Sequence, residues 1–179
     1  MINLKRKTKI IIVYLFTLSG IIIWIGAIFL GPYLKSKGSN VNTLIYAVFS
    51  HVCHQIPERC FFIFGYPLTV CARCLGIYTG FFAGATLYPF IKGFSNLSLP
   101  KTKNFILLSI PISIDTLGNL FYVWSTSDLL RFITGFIWGI ILPFYFIMGL
   151  SDWATSKRNI QEKDYDQEFL EISIKKQIE

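Results

Sequence analysis

Residues 10–32 read IIIVYLFTLSGIIIWIGAIFLGP, 23 consecutive positions without a charge. At about 1.5 Å of rise per residue a helix of this length reaches roughly 34 Å, enough to cross a hydrocarbon core about 30 Å thick. The preceding stretch, Met1–Lys9, carries Lys5, Arg6, Lys7 and Lys9, a charged start like that of a secretory signal. The apolar run continues to Leu34, too long for a cleaved signal core, and no Ala-x-Ala site follows it. The segment is therefore predicted to be a transmembrane anchor. Composition agrees, because 53% hydrophobic and 17% aromatic residues in a chain of 179 are too apolar for an ordinary soluble domain.

Working outward, three further segments have the length and polarity of a membrane span: 75–92, 104–124 and 129–150. The third of the four spans, 104–124, contains Pro111, Asp115, Gly118 and Asn119 and is expected to unwind before Trp124. The fold class predicted is all-α: a four-helix membrane domain over 10–150, a short N-terminus 1–9 and a polar tail 151–179. The longest connection, 35–74, joins the first two spans. Within it Ser39 or Asn40 is placed to cap a short helix whose Leu44, Ile45, Val48 and Phe49 share a face, and Pro57 ends the element. The run CFFIFGYPLTVC, 60–71, holds two β-prone stretches around Gly65-Tyr66-Pro67. It is predicted to form a hairpin that brings Cys60 near Cys71.

The net charge of +7 is not gathered on one face, which argues against a nucleic-acid partner. The basic residues instead flank the spans. Lys5 to Lys9, then Lys92, Lys101 and Lys103, then Lys157 and Arg158 fall on one side of a four-span chain, while the 125–128 connection has none. By the positive-inside rule both termini are cytoplasmic in a multi-pass cell-membrane protein, and the 35–74 loop faces outward.

All four cysteines lie between positions 53 and 74. Cys71-Ala-Arg-Cys74 has the spacing of a knuckle that lends two thiolates to one tetrahedral metal ion, with Cys53 as a third. The fourth ligand is left open among His54, His51 and Cys60. An outward loop equally suits disulfides, and each histidine has an ordinary role as a solvated or hydrogen-bonding residue. A c-type haem is disfavoured because Leu75, not His, follows Cys74. The helix that starts at this knuckle turns its positive dipole end toward the thiols, which favours thiolate chemistry of either kind.

Inside the spans, Asp115 and Arg131 stand out, since an ionisable group there costs about 2.5–3.5 kcal/mol unless it is paired or hydrated. In an antiparallel hairpin turning near Thr126 their offset of about six residues is roughly 9 Å at helical rise, within partial reach of a long arginine. They are either a catalytic base with its partner or a structural ion pair. Gly76, Gly80 and Gly84, with Gly135 and Gly139, recur every four residues and predict close helix packing.

The stretches Cys53-His54-Gln55-Ile56-Pro57-Glu58-Arg59 and Cys71-Ala72-Arg73-Cys74-Leu75-Gly76-Ile77-Tyr78-Thr79-Gly80 resemble the signature of an uncharacterised family of small membrane proteins. Asp115 and Arg131-Phe132-Ile133-Thr134-Gly135 extend that resemblance, which covers about 45–150. The family carries a domain of unknown function and no activity to inherit. It usually has Ser where this chain has Cys60. The resemblance therefore implies Cys53, His54, Cys71 and Cys74 as the shared set.

Two classes of function follow. The first is a metal site, most simply zinc, at the outer membrane surface, with Asp115 and Arg131 as catalytic candidates. In this reading Gln55, Arg59, Arg73 and Tyr78 contact an anionic or lipid-linked ligand. The second is a thiol-disulfide oxidoreductase passing electrons from Cys53 and Cys60 to Cys71 and Cys74, with a quinone in the aromatic interior. That layout is similar to vitamin K epoxide reductase and its bacterial relatives. A non-catalytic transport or assembly partner is a third class. The topology has its own test. A protease-sensitive tag placed in the 35–74 loop is expected to be cut from outside intact cells, and cutting only after the membrane is opened would reverse the orientation.

Overall fold

The computed structural model describes residues 2–92, 102–121 and 125–150. The polar tail expected at 151–179 lies outside the described residues. Helix α1 spans Ile2–Ser36 and carries no charged residue from Ile10 to Leu34. Its most apolar 18-residue stretch has a mean hydropathy of 2.4, yet only 11% of that stretch is buried inside the protein, as for a helix solvated by lipid. The polar Thr17 within it is satisfied locally, its hydroxyl donating to the Val13 carbonyl at 2.8 Å.

Among the described residues three helices are long and apolar enough to cross a membrane: Ile10–Ser36 of α1, Ala72–Ile91 and Asp128–Leu150. The 104–124 segment forms a helix, Thr102–Leu120, that carries Pro111 inside it and stops short of Trp124. Its apolar stretch, Phe105–Asn119, is shorter than the other three. In chain order the elements after α1 are α2 (Val41–Ser50), a single 3₁₀ turn (Pro57–Arg59), strands β1 (Phe62–Ile63) and β2 (Tyr66–Pro67), α3 (Ala72–Lys92) and α4 (Thr102–Leu120). Helix α5, Asp128–Leu150, follows.

Helix α2 differs in detail from its sequence pattern. Asn40 makes no side-chain cap; the Asn42 side chain instead donates to the Ser39 carbonyl at 2.6 Å. Of the expected face, Phe49 is buried and meets Trp24 of α1 edge-on at 4.8 Å, whereas Leu44 and Val48 are exposed. The packing surface thus runs along Ile45 and Phe49, and Val41, Leu44 and Val48 form a second apolar stripe facing outward. A hairpin forms, with Phe62 paired to Pro67 and Ile63 to Tyr66, but Tyr66 and Pro67 belong to its second strand rather than to the turn expected around Gly65-Tyr66-Pro67, and Cys60 is not in the cluster with Cys71. Its turn is Phe64-Gly65, both at positive φ (56° and 80°), the two-residue geometry that matches strand twist. Beyond it Leu68, Thr69 and Val70 are buried against α1, and a side chain at Gly31 would meet the Thr69 methyl group.

Helices α3 and α5 touch backbone to backbone. A Cβ at Gly76, Gly80 or Gly84 would overlap the carbonyl oxygens of Phe132, Phe136 and Ile140, and one at Gly135 or Gly139 those of Arg73 and Ile77. The glycine ridges predicted from spacing are therefore one interlocked seam. Two apolar clusters tie α1 to it. One gathers Ile28, Phe49, Cys53, Leu68, Val70 and Leu75 beneath the loop; the other gathers Tyr88, Phe144 and Ile147 with Val13 and Tyr14 at the opposite end.

Gly80→Ala forces backbone apart along this seam and is expected to destabilise the protein by about 1–3 kcal/mol. Gly20→Ala, where nothing lies within 4 Å of the added atom, is expected to be near neutral. Thermal unfolding of both variants in the same detergent checks the contrast.

Candidate metal site

Three sulfur atoms converge where the loop meets α3. Cys71 immediately precedes the helix and Cys74 lies in its first turn, so their side chains share one side, three residues apart. Their Sγ atoms are 3.4 Å apart. Cys53 arrives from the other side of the loop. Helix α2 ends at Ser50, and Gln55, at φ 50°, reverses the chain. Gln55 Nε2 donates to the carbonyls of Tyr46 and Thr69, both at 2.8 Å, and so clamps α2 to the segment entering α3. Tyr46 reinforces the clamp by donating its hydroxyl to the Pro67 carbonyl. The result places Cys53 Sγ where the Cys71 backbone N–H donates to it at 3.2 Å.

The Sγ atoms of Cys53, Cys71 and Cys74 all lie within 4.8 Å of one another, and all four cysteines are unbridged. Tetrahedral thiolates about 2.3 Å from zinc are about 3.8 Å apart, so the donor set fits such an ion after small side-chain adjustments. The Cys53 thiol is pushed far down, because the Cys71 and Cys74 thiols donate to its sulfur and the Cys71 and Gln55 backbone N–H groups add to them. Cys71 is pushed up for the reciprocal reason. Cys60 stands apart: buried, with its thiol donating to the Ile56 carbonyl at 3.2 Å. Burial first, then repulsion from Cys71 and Cys53, push its pKa up to about 12, which keeps it a neutral thiol.

The remaining residues singled out in the sequence divide clearly. His54 is exposed and is not among the three clustered ligands. His51 Nδ1–H donates to the Ala47 carbonyl at 2.9 Å, finishing α2. Gln55 is spent on the clamp. Arg59 sits in the 3₁₀ turn, partly exposed. Tyr78 lies one turn along α3 from Cys74 and meets the Trp24 ring edge-on at 5.9 Å.

Asp115 and Arg131 are both buried at the same end of the bundle, but they do not pair directly. Asp115 bonds Arg73, the residue beside Cys74, in an ion pair across α3 and α4. Arg131 bonds Asp128 at 2.9 Å and the Asn119 side-chain oxygen at 3.0 Å. Asn119 joins the two halves by donating to the Asp115 carboxylate at 3.1 Å, and the Thr126 hydroxyl donates to the same carboxylate at 2.5 Å. Asn119, Thr126 and Asp128 were not picked out as site residues from the sequence. The available signal was Asn119 four residues after Asp115, one turn along the same helix face.

A family profile described as "Predicted membrane protein (DUF2085)" matches residues 53–145, from the first cysteine of the triad to the middle of α5. An uncharacterized protein of Methanocaldococcus jannaschii is 41% identical over 140 residues, covering 75% of this chain and 90% of its own length. An uncharacterized protein of Methanothermobacter thermautotrophicus is 37% identical over 95 residues, covering 51% of this chain and 81% of its own. No solved structure matches.

Removing one partner of the buried ion pair strands the other charge. Asp115→Ala is expected to cost about 3–5 kcal/mol, and the double change Arg73→Leu with Asp115→Leu to recover most of it. Unfolding of the single and double variants in one thermodynamic cycle measures the difference.

Proposed function

The chain belongs to the DUF2085 family of predicted membrane proteins, and from that premise we propose that it holds a zinc ion at the outer membrane surface. Cys53, Cys71 and Cys74 serve as thiolate ligands. The observation that carries this reading is the convergence of three unbridged sulfur atoms within 4.8 Å, drawn from two segments 18 residues apart. Deprotonated to bind a metal, three thiolates this close repel one another, and a divalent cation neutralises that charge. His54 adjoins Cys53 in the irregular stretch before Pro57 and takes the fourth position, replaced by water when the site is open. When bound, the ion supplies Lewis acidity at that position.

Asp115 and Arg131 act in this proposal through Arg73. Their network fixes the guanidinium, and with it the first turn of α3 that carries Cys74. Helix α4 completes a fourth crossing, so the loop faces outward and both termini are cytoplasmic, as the basic flanks indicate. The bilayer is the chain's constant partner.

A second reading has an observation of its own. Cys71 and Cys74 lie 3.4 Å apart at a helix start, close enough to form a disulfide after modest movement. Oxidation of this pair releases two electrons and two protons to an acceptor, the chemistry of a thiol-disulfide oxidoreductase.

Metal content and free thiols of protein purified with and without reductant separate the two. About one zinc per chain, lost in Cys71→Ser and weakened in His54→Ala, is expected; no metal with a Cys71–Cys74 disulfide assigns the second reading instead. Because the ligands must lose protons to bind, zinc affinity is expected to fall as pH is lowered. Chelation at neutral pH is expected to lower Tm. A Tm indifferent to chelator in metal-loaded protein counts against a structural ion.

A further inference from the structure

Helix α2 does not leave the bundle but doubles back along α1. Ile45 lies beside Gly31 and Phe49 meets Trp24, so α2 descends where α1 rises. The hairpin follows the same line. Phe64 meets Tyr33 edge-on at 5.9 Å, and the Thr69 hydroxyl donates to the Ile28 carbonyl at 3.2 Å.

The contacts between α1 and α3 give the depth of both segments. Tyr14 stacks on Tyr88 and Trp24 meets Tyr78, so ten residues of α1, from 14 to 24, run against ten of α3, from 88 to 78. Extended, that antiparallel register sets Ala72, the first residue of α3, opposite Leu30. The α3 span, Ala72–Ile91, has 20 residues, which at helical rise cover about 30 Å, the thickness of a hydrocarbon core. Residues 31–36 of α1 therefore stand about 9 Å beyond that core, enough to pass through a headgroup layer of about 5–8 Å. Helix α2 and the hairpin lie against this outer end.

Three features of the protruding end suit lipid. First, Leu44 (69% exposed) and Val48 on α2 and Phe64 (63%) on the hairpin have no protein cover, and they continue the exposed face of α1 at Leu30 and Tyr33. In water such a contiguous apolar surface is a liability. Second, the Lys35 ammonium lies 5.3 Å from the centre of the Tyr46 ring and 5.2 Å from that of Tyr66, and the Lys37 ammonium lies 6.0 Å from that of Tyr33. Tyrosines flanked by lysines belong to the membrane interface, the rings near the acyl chains and the ammonium groups among the headgroups. Third, the chain has no Asp or Glu before Glu58, so the charged side chains of the α1–α2 face are lysines alone. That sign complements lipid phosphate.

We propose that α2 and the hairpin are seated in the leaflet on the cysteine side of the protein's own membrane, with Leu44, Val48 and Phe64 among the lipids and Lys35 and Lys37 on headgroup phosphates. The cysteine triad then lies at the boundary between acyl chains and headgroups, because Cys71 adjoins the first residue of α3. The seating needs only the membrane setting and no metal.

The test uses the full chain in nanodiscs that contain phosphatidylglycerol, with one trifluoromethylphenylalanine at position 44, 48, 64 or, as a reference inside a span, 16. Fluorine NMR reads the broadening of each reporter by nitroxide lipids labelled at the head or along the chain, and by a gadolinium chelate confined to water. The expected result is strong broadening at 44 and 64 by the head-labelled lipid, at 48 by a lipid labelled near the top of its chain, and little by the chelate at any of them. Leu44 touches little of the chain, so Leu44→Asp is expected to keep the fold, read as an unchanged fluorine shift at position 16. It is expected to make the reporter at 48 sensitive to the chelate, with loss of its lipid broadening. Lys35→Gln with Lys37→Gln is expected to raise chelate broadening at 64 about threefold or more. Chelate broadening at 44 and 64 as strong as for free trifluoroacetate overturns the proposal, since the surface then faces water. Shielding of both positions from chelate and lipid alike overturns it too, since a second copy or another protein then covers them. Unchanged broadening in Leu44→Asp also counts against it, and unchanged broadening in the lysine variant overturns the phosphate contact.

Discussion

The contact on which the rest of the structure depends is the backbone seam between α3 and α5. In a bilayer, apolar side chains gain little by leaving lipid for one another, so helices associate through close packing and hydrogen bonds. Five glycines provide that packing here, each filled by a carbonyl or backbone segment of the facing helix. Because Gly76 seats Phe132 and Gly135 seats Arg73, the seam fixes the register of the two helices. The start of α3 and the start of α5 are thereby brought to the same end of the bundle. Arg73 and Gly135 are neighbours in space for this reason, though 62 positions separate them.

At that end the sulfur triad and the buried polar network form one unit, and Arg73 is the joint. Its backbone lies within the Cys71-x-x-Cys74 knuckle while its side chain crosses to Asp115 on α4. Two cations and two carboxylates, Arg73 and Arg131 with Asp115 and Asp128, balance within the network. Asn119 and Thr126 spend their remaining donors on Asp115. Such a cluster is tolerable in a low-dielectric setting only when nearly every group is met. It also links α4, whose contacts to α5 include Phe105 against Trp138 and Tyr145 and the Trp138 indole on Ser109, to the loop that carries the thiols.

The loop itself is held less by secondary structure than by clamps. A hairpin of two residues per strand has little stability of its own. What orders it is Gln55 bridging two carbonyls, Tyr46 on Pro67, and Leu68, Thr69 and Val70 buried on α1. A cysteine presented from such a segment can shift by a few tenths of an ångström without unfolding anything, which suits the proposed metal site.

The sequence by itself determined the membrane setting, the three long apolar helices, the presence of a hairpin, the glycine seam and the three cysteines that gather. Each is written in a local pattern: run length, four-residue glycine spacing, the two-residue separation in Cys71-Ala-Arg-Cys74. It also pointed to Asp115 and Arg131 as buried charges, since ionisable residues are rare inside spans. Only the tertiary structure decided their partners. Asp115 pairs with Arg73 and reaches Arg131 through Asn119, because the pairing depends on how α4 leans against α3 as well as α5, and no spacing within one helix encodes that angle. The place of Gln55 as a clamp was likewise invisible, whereas Cys60 outside the triad agrees with the set that the family resemblance implied. The clamp follows from a positive-φ reversal at Gln55, which is a property of the folded loop rather than of its residue order.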